Sequence, residues 1–381
     1  MKYLTLDLFH NFKCIGSTCP DTCCAGWSIL VDKDSVQKYQ MIPGEYGQKL
    51  RDSLITKDKN SYFRMQNQRC PHLTEENLCG VYQILGEESM CYSCKVYPRT
   101  FSVYGDISFT LLSASCPEVA RMLLTRTTPV EFSFGEDDTR PDSATEDMDW
   151  TLFNTMISAL TISVNLLQNR TLPLRERLRL LLLFNHNLQH CLDHQTDAAS
   201  LLDLFSSPQS YMHLLQDSHT ACANHLAKVK ALLEFYYGIP KFGDSEPLLL
   251  FKNDIPHLIN RINEAADGNL ADSLFAKLNE GECDLRYEHC CVYFLFRHYM
   301  ESYTDREPYK KIVQLLHILN LQQCIAVSRI IDSTSETLIS CQIEVLSQLS
   351  RVFEHVSVNL DTLYSIYKDV GMTDTDFCLL L

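Results

Sequence analysis

Cys14-Ile-Gly-Ser-Thr-Cys19-Pro-Asp-Thr-Cys23-Cys24-Ala-Gly-Trp27 opens the stretch on which the reading of this chain turns, and Cys116-Pro117 closes it. Between them lie Cys70-Pro71-His72-Leu73, Leu78-Cys79 and Cys91-Tyr92-Ser93-Cys94, so nine of the seventeen cysteines fall in this segment. Loops so rich in Gly, Ser, Thr and Pro have little propensity to hold a shape unaided. The thiols are the obvious anchors. Three chemistries are open to such a cluster: disulfides, zinc or an iron–sulfur centre.

Spacing and geometry weigh differently on the three. Adjacent Cys23 and Cys24 can scarcely bridge to each other. Structural zinc favours two close C-x2-C pairs, and only Cys91/Cys94 has that spacing. Iron–sulfur centres take four thiolates from irregular loops, and a proline after a ligand cysteine recurs in ferredoxin-type sites. Cys19-Pro20, Cys70-Pro71 and Cys116-Pro117 lean that way, with zinc as the alternative. The radical-type C-x3-C-x2-C begins at Cys19 and Cys23 but meets glycine at position 26. A centre here is therefore expected to be structural or positioning rather than a radical initiator.

Outside the cluster, 381 residues with 45% hydrophobic and 21% charged content describe an ordinary globular chain. A net charge of −15 disfavours nucleic acid and anionic membrane and suits cationic partners such as lysine-bearing proteins. Lys2, Asp7 and His10 interrupt any signal-peptide core near the start. Trp150–Asn169 carries no charge, yet polar residues interleave its apolar positions at helical spacing, which reads as an amphipathic helix rather than a membrane span. A cytoplasmic location is expected, where thiols stay reduced.

The chain divides by texture into a cysteine-rich domain over 1–135, an acidic linker over 136–149 and a helical domain over 150–381. The expected fold class is mainly α: a small, loop-rich N-terminal metal-binding domain with a few short strands precedes a larger all-α domain. Short strands are expected within residues 1–13 and over Ser28–Asp32, a helix over Lys33–Gln40, and a polar, turn-rich surface over Gly44–Asn60. A helix broken at Gly86 and a hairpin turning at Gly105-Asp106 complete the first part. Beyond the linker, three-and-four spacing predicts helices over Trp150–Gln168, Leu172–Asp193, Ala198–Phe205, Tyr211–Tyr237, Asp254–Ala266, Leu270–Leu278, Tyr287–Tyr303, Tyr309–Asp332 and Glu336–Tyr367. The chain has no G-x-G, no phosphate-binding G-x-x-x-x-G-K, no H-E-x-x-H and no G-x-S-x-G. Motifs alone leave the chemistry open, and a non-enzymatic metal-storing or metal-sensing module is one possibility.

Cys14-Ile-Gly-Ser-x-Cys19-x-Asp-Thr-Cys23-Cys24-x-Gly-Trp27, with Cys70-Pro-x-Leu, Leu78-Cys79, Leu85-Gly-Glu-Glu and Cys94-x-x-Tyr97-Pro98-Arg99, resembles the flagellin lysine-N-methylase family. The likeness covers about residues 10–120 and places the chain in a broader group of cysteine-rich zinc- or iron-chelating proteins. It implies methyl transfer from S-adenosylmethionine to lysine side chains of flagellin; the metal expected beside it, from the cysteine spacing, is an iron–sulfur cluster (4Fe-4S), with zinc as the alternative. The metal ligands it favours are Cys14, Cys19, Cys23, Cys24, Cys70, Cys79, Cys94 and Cys116, enough for one centre with spares or for two. Cys91 departs from the family pattern and is left off that set. Catalytic and donor-binding residues are not implied.

Three further groups are read from the residues. Trp27, Tyr92, Tyr97 and Tyr104 are candidates for an aromatic wall against a methylated ammonium, with core packing as the plainer role. Arg99 suits either a cofactor carboxylate or a structural ion pair. His289-Cys290-Cys291, the His186/His190/His194 series and Cys191, Cys222, Cys283, Cys324, Cys341 and Cys378 are expected to be structural.

Overall fold

The computed structural model describes residues 2–136, 148–215, 249–264, 282–331, 337–355 and 357–370, together with Lys230, Leu233, Glu234 and Tyr236. Most of the acidic segment 136–149 lies outside them, as do most of Tyr211–Tyr237, all of Leu270–Leu278, Cys222 and Cys378.

The fold is mainly α, and among the described residues its strands are confined to the N-terminal part. Strand β1 (Lys2–Leu6) runs parallel to β6 (Ile107–Leu112) and antiparallel to β7 (Phe132–Glu136), while β5 (Arg99–Tyr104) pairs with β6 across the Gly105 turn. The order is β5-β6-β1-β7. Gly105 takes φ +58°, the left-handed backbone that a tight hairpin demands. A second sheet, β2-β4-β3, joins Leu30–Val31, Asn60–Phe63 and Leu54–Lys57.

Gly44–Asn60 is more ordered than its polar composition suggests: Gly44–Asp52 is a helix and β3 follows it. Leu50 is fully buried, and Arg51 donates to the carbonyls of Tyr39 and Ile42 at 3.1 and 2.9 Å. One long side chain thus satisfies orphan carbonyls at the end of the preceding helix, Lys33–Met41. Asp32 caps that helix's other end by accepting from the Ser35 N–H.

The helical part begins as the spacing predicts. Asp149 caps Trp150–Gln168 through the Leu152 N–H, and Leu174–Asp193 starts immediately after Pro173. Trp150–Gln168 is long and apolar enough to cross a bilayer, and half of it is buried within the protein. Near Tyr211 the expectation differs, since a short helix ends there and a 3-10 turn follows. Tyr287–Tyr303 resolves into Glu282–His298 and two short turns, the second of which ends at Arg306 in the left-handed region. The Glu336–Tyr367 run is two helices, Leu338–Phe353 and Ser357–Val370. The first of these starts at a reciprocal cap between Thr337 and Ser340.

Pro308–Ile330 is the central helix, buried along nearly its whole length. It packs against Leu174–Asp193, Leu249–Glu264, Glu282–His298 and Leu338–Phe353. The large core around it also takes in Leu6, Phe109, Leu112 and Val119, so residues from both sides of the 136–149 segment share one interior. A second, smaller core gathers Ile29, Val31, Tyr39, Leu50, Phe63 and Val81 around Cys70 and Cys91.

Candidate functional site

Cys24, Cys70, Cys79, Cys91 and Cys94 line one cavity in the small core, with Tyr39, Phe63 and His72. Local backbone bonds bring the loops together. Cys70 N donates to the Cys24 carbonyl at 2.7 Å, and Leu73 pairs with Cys79 across the turn between them. Gly80 N donates to the His72 carbonyl at 2.7 Å, and a Cβ at position 80 would stand 2.9 Å from that oxygen and from Tyr46 Oη. Only glycine permits this approach. Cys91 starts the helix Tyr92–Val96, which turns Cys94 back beside it.

Burial governs the thiols. Desolvation lifts Cys70 to about 11 and raises Cys79 as well. The Cys91/Cys94 pair shares a hydrogen bond that holds Cys91 low and pushes Cys94 up, and a second one, donated by Cys23 to Cys24, raises Cys23. Five thiols about one small cavity cannot all ionise against one another unless a cation joins them. Cys14 and Cys19 lie within electrostatic reach of Cys116, forming a second neighbourhood, and desolvation lifts Cys116 to about 11. Cys23 is within reach of both groups.

The donor identities fit an iron–sulfur or zinc centre. The present positions do not complete one: among the described residues, no group of three or more His, Cys, Asp or Glu side chains is arranged to hold a metal ion. Of the eight cysteines singled out from the sequence, seven fall into these two neighbourhoods and Cys23 lies within reach of both. Cys91, left off on the family pattern, stands among the first five, where its C-x2-C spacing to Cys94 already pointed.

The aromatic residues divide. Trp27 and Tyr97 meet edge to face at 5.2 Å, beside the cysteine loops. Tyr92 is exposed, and Tyr104 packs with Phe109, Phe153 and Tyr303 in the large core. The Arg99 guanidinium lies against Phe9 and Phe12 at 5.8 and 5.7 Å. His289, Cys290 and Cys291 are buried in their helix, His190 stacks on His194 at 4.0 Å, and His186 meets Tyr309.

A set of residues with no sequence signature closes the seam between the cysteine loops and the helices. Ser115 Oγ stands 2.9 Å from His355 Nε2 and 2.8 Å from Ser113 Oγ, which donates to Glu354 at 2.9 Å. Tyr97 Oη joins Ser115 at 3.1 Å. Tyr293 Oη accepts the Ala114 N–H at 2.7 Å and donates to Glu354 at 2.9 Å. Arg351 lies 5.1 Å from the Trp27 ring and pairs with Asp21 at 2.8 Å. Its neighbour Gly26 has φ +84°, so the position where a third radical-type cysteine would fall is a left-handed turn. Some 240 residues separate Ser115 from His355, a juxtaposition no local pattern encodes.

A cysteine-lined core sealed against a helical body defines a cysteine-rich, mainly α protein. Residues 161–381 match the FliB lysine N-methylase C-terminal domain, and the chain belongs to that family of lysine N-methylases. Among curated proteins it is similar to the flagellar biosynthetic protein FliU of Salmonella muenchen, 32% identical over 134 residues, covering 32% of this chain and 79% of that protein. It is similar at the same identity to lysine-N-methylases of Salmonella choleraesuis and Salmonella typhimurium, where the match covers 33% of each of those proteins. The chain thus spans about a third of the lysine-N-methylases it matches. No solved structure matches.

Proposed function

We propose that this protein is a cytoplasmic lysine N-methyltransferase that moves methyl groups from S-adenosylmethionine to lysine side chains of flagellin. The observation that carries the reading is the match of residues 161–381 to the FliB lysine N-methylase C-terminal domain. The flagellar name of one relative and the acidic net charge of −15, which favours a lysine-bearing partner, support the substrate. The cysteine loops supply thiolates for an iron–sulfur centre, drawn from Cys14, Cys19, Cys23, Cys24, Cys70, Cys79, Cys94 and Cys116, with zinc as the alternative metal.

The chemistry sets two demands on the chain itself. A lysine ammonium, ordinary pKa about 10.4, must lose a proton before its nitrogen can displace a sulfonium methyl. It must also be held where the attack is in line. An aromatic face beside neutral acceptors answers both, and Trp27 with Tyr97 is such a face at the edge of the cysteine loops. Co-expression with flagellin, followed by mass spectrometry of its lysines, tests the function. Methyl-lysine that depends on this protein supports the reading. Unmodified flagellin beside folded, metal-replete protein favours the metal-sensing module instead.

A further inference from the structure

The chain of hydrogen bonds at the seam has a direction. Glu354 is a carboxylate that accepts from Tyr293 and from Ser113 Oγ. Ser113, having given its proton to Glu354, must accept from Ser115, 2.8 Å away. Ser115, its proton spent on Ser113, accepts at its own oxygen from Tyr97 Oη at 3.1 Å and has no proton left for His355 Nε2 at 2.9 Å, so the ring nitrogen donates there. The sequence of donors therefore runs His355 Nε2–H, Ser115 Oγ–H, Ser113 Oγ–H, Glu354. It fixes the tautomer of His355 with its proton on Nε2 and its lone pair on Nδ1.

The lone pair faces no protein hydrogen-bond donor among the described residues. His355 is exposed as a residue, and its ring meets Trp27 edge to face at 5.0 Å. Trp27 in turn touches Tyr97, and Cys23 beside them is exposed. A basic nitrogen, an aromatic corner and solvent access thus coincide at the rim of the cysteine loops.

We propose that His355 Nδ1 is the proton acceptor for the substrate lysine, whose ammonium docks in the corner formed by Trp27, Tyr97 and His355. This rests on the methyltransferase reading above and names a residue for it. The step balances. The Nζ–H bond breaks, the proton goes to Nδ1, and the pair left on Nζ forms the new N–C bond as the sulfonium S–C bond breaks. Imidazolium then passes its proton to water.

Between ordinary lysine and histidine the proton transfer is uphill by about four powers of ten. Several groups bear on that gap. Burial of the covered ring edge keeps His355 neutral but lowers its basicity and so widens the gap; Glu354 opposes this, and Arg297 and Arg351 add to it. Arg351, whose guanidinium already stands 5.1 Å from the Trp27 ring, and Arg297 disfavour the ammonium form of a lysine docked beside them, which lowers its pKa toward that of the acceptor. Glu354, connected through the two serines, favours the imidazolium once it forms.

The test is methyl transfer to flagellin by full-length protein and its His355→Gln variant across pH 7 to 10, with iron content and melting curve recorded for both. The expected result is a loss of about 100-fold or more near pH 7. The loss should shrink as bulk base takes over above pH 9, and added imidazole should restore part of the rate. An unchanged rate, or one lowered equally at every pH, overturns the assignment while leaving the methyltransferase reading intact. A second measurement uses Trp150→Phe protein, in which Trp27 is the remaining tryptophan. Titration with n-butylamine hydrochloride should change Trp27 emission, and His355→Gln should weaken that response. Should wild type transfer no methyl at all, the functional reading fails, and this titration alone decides the ammonium site: a saturable response supports it, and none overturns it.

Discussion

Glu288 places Oε2 2.6 Å from Arg177 and Oε1 2.8 Å from Arg170, and this carboxylate is almost completely buried. It joins the helix Glu282–His298 to the helix Leu174–Asp193 and to the turn before it. Arg177 is itself only 4% exposed and also donates to the Leu167 carbonyl at 2.5 Å. Glu288→Gln would strand a buried guanidinium, a loss of about 3–5 kcal/mol in urea unfolding. Lys2→Ala, which breaks the pair with Asp106 between side chains 48% and 40% exposed, should cost no more than about 1 kcal/mol. Equal effects from the two would mean that the Glu288 cluster does not lock the helices.

Acid should loosen the fold before its carboxylates titrate. Desolvation takes His72 and His289 down to about 4 and His317 to about 3. Each stays neutral when folded but accepts a proton near pH 6.5 when unfolded. The unfolded state therefore binds more protons between about pH 6.5 and 4, so the stabilisation is full above 6.5 and lost as pH falls through that window. The slope approaches about 1.4 kcal/mol per pH unit for each histidine. Urea midpoints from pH 8 to 4 should decline from just below 6.5, and His317→Gln should flatten the curve. A midpoint constant down to pH 4.5 would contradict this.

What the sequence discloses follows the range of the forces involved. Trp150–Gln168 and the hairpin at Gly105 are legible because three-and-four spacing and a turn glycine are local. Gly44–Asp52 is not, because its order comes from Leu50 in the small core and Arg51 on a neighbouring helix end. The cysteine cluster is visible as composition, yet its division into a five-thiol cavity and a Cys14/Cys19/Cys116 neighbourhood depends on how the loops cross. Ser113, Ser115, Glu354 and His355 stay hidden altogether. Nothing in a serine pair or a helix-ending Glu-His signals a partner so far away in the chain.

Thiolate–metal bonds should give the cysteine loops much of their stability. Anaerobically purified protein is expected to be brown, with a broad band near about 400 nm and acid-labile sulfide. Cys24→Ser or Cys70→Ser should bleach it and loosen residues 10–120, whereas Cys341→Ser, in the helical body, should keep its iron. Cys91→Ser is the sharper probe because Cys91 shares the cavity with four of the favoured ligands. Retained iron supports the family-based set. Lost iron makes Cys91 a ligand, and stoichiometric zinc without sulfide refutes the iron–sulfur centre.

The central claim is methyl transfer to lysine, and purified components test it most directly. Metal-replete protein is incubated with flagellin and S-adenosylmethionine carrying a labelled methyl group, and the flagellin is hydrolysed to amino acids. The account predicts label in Nε-methyl-lysine, in proportion to enzyme and absent when flagellin lysines are chemically blocked. Flagellin that stays unlabelled beside folded, metal-replete protein would contradict it.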